Sequence, residues 1–167
     1  LRHWLQDNGG QRLAVLVNDF GALSIDAELV ASVGADAIAL SNGCVCCSMG
    51  GDLSAALIRV IEAKPAFDAV VIEASGVADP WRIAQVGLAD PALSLNAVIV
   101  LVDAAAVLAQ AAEPLLADSL VRQLESADYV LINKTDLVDT HALAAVHAWL
   151  DTVVRDAPRF DTQDGEV

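Results

Sequence analysis

Residues 128–136 read DYVLINKTD, an apolar, β-branched run that gives way to four polar residues, Asn133, Lys134, Thr135 and Asp136. Such a run is too short for a typical helix. Bounded by polar residues, it fits a strand buried on both faces of a parallel sheet. The same plan appears at LAVLVN (13–18), DAIAL (36–40), DAVVIE (68–73) and NAVIVLVD (96–103), each running out into polar residues. Between these runs apolar residues recur at a helical period. After Asp52, which can cap a turn, come Leu53, Ala56, Leu57, Val60 and Ile61, and this helix stops near Lys64 and Pro65. Helices are also expected over 104–126, broken at Pro114, and over 140–155 after Thr140. The tail RFDTQDGEV (159–167) gives one more edge strand. Strands alternating with helices predict an α/β fold, a mostly parallel sheet with helices on both faces. No repeat, low-complexity tract or linker interrupts the chain, so residues 1–167 read as a single domain.

The composition narrows the function classes. At 167 residues, 56% of them hydrophobic, the chain has apolar surface enough for one core. No apolar run reaches the roughly 18 residues of a membrane span, and the greasiest, AVIVLV at 97–102, meets Asp103. A net charge of −14 repels phosphate polymers and anionic membranes, so neither nucleic acid nor membrane is expected as a partner. Only Lys64 and Lys134 are lysines. Cys44, Cys46 and Cys47 are too few and too clustered for a secreted disulfide framework, which points to a reducing, cytoplasmic setting. The N-terminal LRHWLQDNGG lacks the apolar core of a signal peptide, and the chain opens on Leu1, so an upstream segment is expected.

In open parallel sheets ligands gather beyond the carboxyl ends of the strands. Four loops there carry unusual chemistry. In the NKTD loop, Asp136 can accept two hydrogen bonds from a ring N–H and its adjacent amino group, a pair that guanine offers and adenine does not. Asn133 and the Lys134 stem would brace loop and ring. The alternative is an ordinary Asn-Asp turn. In the EASG loop, Glu73 can hold magnesium through water and Gly76 lets backbone amides approach a phosphate, or the loop is a solvated turn. Asp19 of NDFG poses the same choice: a metal or water-positioning carboxylate, or a plain strand end. Three thiols within four positions are the more specific signal, because thiolates favour soft ions such as zinc. Gly43, Gly50 and Gly51 permit the bend that would let Cys46 and Cys47 share one ion, and the helix that starts near Asp52 would lower the thiol pKa values. Buried structural cysteines or a redox switch remain the alternatives. His3, His141 and His147 are scattered and receive no assignment.

Taken together, NDFG with SID, NGCVCCS, GDL, VIEASGVADP, LVDA and VLINKTDLV resemble the CobW-type GTPases, metallochaperone relatives of UreG and HypB, along essentially the whole chain. The resemblance implies a GTPase that binds GTP or GDP with magnesium and hands zinc, or else cobalt, to a client metalloprotein. It implies that Asn133, Lys134 and Asp136 bind guanine and that Glu73 and Gly76 lie in the second switch. Asp19 falls in the first switch, and Cys44, Cys46 and Cys47 form the metal site. It also implies that the segment from Cys47 through Ser48 to Gly51 lies against the nucleotide, so that one loop touches both ligands, and that GTP drives homodimer formation. Such proteins begin with a strand and a GxxxxGK[ST] phosphate loop, a setting that neither Lys64 nor Lys134 has. The chain is therefore expected to start just downstream of that loop, with a gap at the centre of the sheet, no hydrolysis by the isolated chain, and no C-terminal domain after Val167. Ala22 stands where an acidic residue often follows the first-switch FG. Two functions compete with the GTPase: a non-catalytic zinc-binding or buffering module, which needs only the cysteines, and a thiol redox sensor.

Overall fold

The computed structural model describes residues 9–17, 36–39, 51–74, 76, 78–154 and 156–164. The elements are strands β1 (Leu13–Val17) and β2 (Asp36–Ala39), helix α1 (Gly51–Glu62), β3 (Ala69–Glu73), α2 (Pro80–Leu88) and β4 (Ile99–Asp103), then α3 (Val107–Ala112), α4 (Pro114–Glu125), β5 (Tyr129–Asn133), α5 (Thr140–Val153) and β6 (Arg159–Asp161). They fall into two compact units. One takes in the first three strands, α1 and most of α2; the other comprises Asp79–Trp81 and the chain from Leu95 on.

In the first unit the strands pair in parallel in the order β2-β1-β3. Leu13, Ala14, Val15 and Leu16 of the central strand are all buried, as an unbroken apolar run predicts for a strand covered on both faces. Helix α1 buries Leu53, Ala56, Leu57 and Val60, spaced by three and four residues, into a core that includes Ala14, Leu16, Ala78 and Ile83. Full burial of each large aliphatic side chain contributes roughly 1.5–3 kcal/mol. The helix begins at Gly51, so Asp52 lies within its first turn rather than ahead of it.

In the second unit the order is β4-β5-β6, again all parallel. Parallel neighbours require a crossover. Helices α3 and α4, separated at Glu113 and Pro114 where the sequence predicts a break, provide the first crossover, and α5 provides the second. The α5 cap is Asp139, whose carboxylate accepts the Ala142 amide at 2.7 Å, so the helix starts at Thr140. Val100 and Val102 of β4, Val130 and Ile132 of β5, Val107, Leu124, Val146 and Leu150 form one core.

One burial detail departs from the sequence expectation. Strands β4 and β5 alternate: Ile99, Leu101 and Tyr129 are 46%, 64% and 42% exposed while Val100, Val102, Val130 and Ile132 are buried. The buried residues of α3, α4 and α5 all join the core on the Val100 face, and that is why the runs are half-buried rather than fully enclosed.

Both sheets are clasped at the amino end by the same device. The residue before β3, Asp68, accepts the Arg12 amide at 2.7 Å and returns its own amide to the Arg12 carbonyl at 2.9 Å. Before β5, Asp128 does the same with Val98, at 2.7 and 2.8 Å. No helix among the described residues is long and apolar enough to cross a membrane.

Candidate functional site

Register brings the site residues of the second unit to one edge. β4 and β5 pair so that Asp103 stands opposite Asn133, both at the carboxyl end, and the Ala104 amide donates to the Asn133 carbonyl at 2.9 Å. Beyond Asn133 the chain turns sharply. Lys134 adopts the left-handed conformation at φ 61, and Thr135–Leu137 form a single turn of 3-10 helix closed by the Leu137 amide on the Lys134 carbonyl at 3.0 Å. That turn leaves Asp136 exposed to solvent.

Two residues the sequence did not single out hold this loop. Asp103 accepts Lys134 Nζ on Oδ2 at 2.7 Å and the Ala105 amide on Oδ1 at 2.9 Å. The Lys134 ammonium holds the Asp103 carboxyl below its ordinary value against an opposing push from burial, and the Ala105 and Ala106 amides add to the lowering. From the other side comes Thr162, just past β6 and only 2% exposed. Its amide donates to the Ile132 carbonyl at 2.8 Å, and its carbonyl accepts Thr135 Oγ1 at 3.0 Å. Its hydroxyl lies 3.1 Å from Asn133 Oδ1 and 3.4 Å from the Ile132 carbonyl. The loop is thus pinned from β4 and from the end of β6 at once. For Asp103 the signal is positional: it ends its strand as Asn133 ends the next. Thr162 lies in a polar tail and carries no signal.

In the first unit Glu73 ends β3 opposite Val17 and is exposed. Gly76 follows it without a positive φ, and an added Cβ would meet nothing within 4 Å, so neither conformation nor packing in the described chain demands glycine there. Gly51 opens α1. Asp19, Cys44, Cys46, Cys47 and Ser48 lie outside the described residues, and so does any geometry of the thiol cluster. His147 pairs with Asp161 at 3.0 Å across α5 and β6, in keeping with its lack of a site assignment. A shallow groove of about 440 Å³ near Trp81, Arg122 and Asp128 opens at the amino end of β5, away from the NKTD edge, and contains none of the predicted residues.

What these loops add up to is decided by comparison with known proteins. The model of the CobW/HypB/UreG nucleotide-binding domain matches residues 1–161. The chain belongs to this family. Among CobW/HypB/UreG proteins, the zinc chaperone YjiA of Escherichia coli is 33% identical over the whole of this chain and 54% of its own length. The zinc chaperone CobW of Sinorhizobium is 29% identical over the whole chain and 55% of its own length. The chain therefore spans about half the length of these curated relatives. A crystal structure of zinc-bound YjiA GTPase from E. coli superposes with a TM-score of 0.71 at 27% identity, covering 99% of this chain and 53% of that one. HypB from Helicobacter pylori, solved with nickel, shares the fold at a TM-score of 0.62 and 17% identity, over 99% of this chain and 72% of its own. The α/β fold read from the strand pattern is thereby established, and its structural neighbours are the GTPase YjiA and HypB.

Proposed function

We propose that this chain is the nucleotide-binding domain, residues 1–167 taken as one GTPase-like domain, of a GTP-hydrolysing metal chaperone that delivers a divalent ion, zinc ahead of cobalt, to a client metalloprotein. The observation that carries the reading is the NKTD loop, set at a parallel sheet's carboxyl edge and pinned from both sides by Asp103 and Thr162. A base reader needs that rigidity, because a carboxylate discriminates between purines only if it is held in register with their donors. Relatives named as zinc chaperones, and a zinc-bound GTPase structure among the neighbours, support the choice of cargo.

In this reading Asp136 accepts the ring N–H and amino group of guanine, Asn133 faces the opposite edge of the base, and the Lys134 stem lies along the ring. Magnesium, a hard cation that prefers carboxylate oxygen, fits Glu73, whose exposed side chain stands at the carboxyl end of β3. Asp19 would join it in holding the ion or positioning water. Gly76, which nothing among the described residues requires to be glycine, suits close approach of backbone amides to phosphate. Catalysis needs no covalent nucleophile: the groups position water and neutralise phosphate charge. Cys44, Cys46 and Cys47 hold the cargo ion as thiolates, while Cys47, Ser48 and Gly51 also lie against the nucleotide. One loop then responds to both ligands, and GTP favours a homodimer that hydrolysis releases.

The test is nucleotide selection by the intact protein. GTP is expected to bind at least about a hundredfold more tightly than ATP, a floor below the roughly 10⁴-fold discrimination of a site that pairs a specific donor set. Asp136→Asn should abolish the preference without lowering the melting temperature. Equal affinity for GTP and ATP in the wild type would defeat the proposal.

A further inference from the structure

Thr162 is the sole buried polar residue among the described ones, and its hydroxyl meets the side chain of a residue in the base-reading loop. We propose that Thr162 is a positioning residue that fixes the orientation of the Asn133 amide and thereby admits purines bearing a 6-keto oxygen. The proposal rests on the guanine reading of the NKTD loop and adds a second, separable reader to it.

The chemistry follows from counting protons. The Ile132 carbonyl already accepts the Thr162 amide at 2.8 Å and lies 3.4 Å from the hydroxyl, whereas Asn133 Oδ1 lies at 3.1 Å. The hydroxyl has a single proton, and its nearer acceptor is the Asn133 side chain. A donor at that spot holds the carbonyl end of the amide against Thr162 and turns the NH₂ end the other way. An NH₂ so turned has two protons, and one of them directed at the base would suit a purine edge carrying N7 and a 6-keto oxygen, both acceptors, and oppose the 6-amino group of adenine, a donor. Asp136 reads a different part of the ring, the N1–H and the 2-amino group. Inosine diphosphate separates the two readers, because hypoxanthine keeps the 6-keto oxygen and lacks the 2-amino group.

Replacing the side chain isolates this one bond. The Thr162 amide and carbonyl, which bind Ile132 and Thr135, belong to the main chain and persist in any variant. Thr162→Val keeps the shape and removes the hydroxyl, while Thr162→Ser keeps the hydroxyl. Equilibrium titration of the intact protein with GDP, IDP and ADP tests the role. Thr162→Val is expected to weaken GDP and IDP together by about fivefold to tenfold, the worth of one hydrogen bond. The GDP to IDP ratio should stay within twofold of wild type, and ADP affinity should not fall, so the preference for 6-keto purines narrows. Thr162→Ser should restore wild-type selectivity. Should the valine variant unfold, Thr162→Cys, with its weak S–H donor, carries the same comparison, and its GDP and IDP affinities are expected to fall measurably below those of Thr162→Ser.

Three results would overturn the proposal: wild-type affinities in the valine or cysteine variant, a GDP to IDP ratio that collapses with the 6-keto preference, or a serine variant as impaired as valine. A collapse of both ratios would mean that the loop as a whole had loosened. Wild-type protein that binds GDP and ADP alike contradicts the guanine reading itself, a result separate from anything the Thr162 variants do.

Discussion

Lys134 carries the one left-handed conformation in the NKTD loop, a geometry that costs a non-glycine residue about 1–2 kcal/mol. Its side chain is not loose: the ammonium is drawn 2.7 Å from Asp103, a residue 31 positions earlier. Strain of this kind persists where surrounding bonds over-determine it, and here they come from β4. The pair is half exposed, so Asp103→Ala is expected to cost at most about 1 kcal/mol of stability while weakening GDP binding severalfold, through loss of the proposed contact between the Lys134 stem and the base. Since Asp103 titrates below its ordinary value of 3.8, its contribution is complete at neutral pH and is lost only as pH falls below 3.8 toward the lowered value. Melting curves of wild type and variant should differ at pH 7 and converge in acid; a difference that grows in acid would contradict the assignment. Asn133, Lys134 and Asp136 were readable in the sequence because they are neighbours and follow an apolar run. Asp103 and Thr162 were not, because each reaches its partner only through strand register, across 31 and 29 positions.

The elements themselves follow from local rules. The five apolar runs form strands and the chain breaks at Pro114 as the apolar spacing predicts, since a short β-branched run bounded by polar residues has few alternatives, and the polar tail adds the sixth strand. Helix α2 is less marked in sequence because it buries only Ile83 and Ala84. The alternating exposure of β4 and β5 could not be read from NAVIVLVD, for an unbroken apolar run carries no record of which face is covered. The Asp68 and Asp128 clasps were equally hidden: each needs knowledge of which strand lies alongside. Their bonds are testable. Asp128→Ala leaves the part-buried Val98 amide without its 2.7 Å acceptor and is expected to destabilise the protein by about 1–3 kcal/mol. Asp139→Ala, which removes the α5 cap, should cost about 1 kcal/mol. Urea denaturation checks both, and a change within 0.3 kcal/mol for Asp128→Ala, about the error of the method, would show that the clasp is idle.

At the scale of the whole chain, each compact unit has its own core, and the NKTD loop belongs to the second. That core centres on β4, β5 and the inner face of α5, so Leu150→Ala, at a fully buried position, is expected to cost 2–5 kcal/mol, on the usual scale for a buried leucine. The candidate loops could be picked out because they are contiguous motifs that arrive one per strand end, in a chain whose residues 1–161 match the family model. The thiol cluster is equally plain in sequence, at Cys44, Cys46 and Cys47. Its proposed role ties the account together, because the chaperone proposed above must hold its ion in one nucleotide state and yield it in another. Zinc affinity of the intact, reduced protein, titrated with and without GTP and magnesium, tests this most directly. The account predicts that GTP changes zinc affinity by the same factor by which zinc changes GTP affinity, and that exchanging the three cysteines for serine removes both effects. Zinc affinity indifferent to GTP, or retained in the triple serine variant, would contradict it.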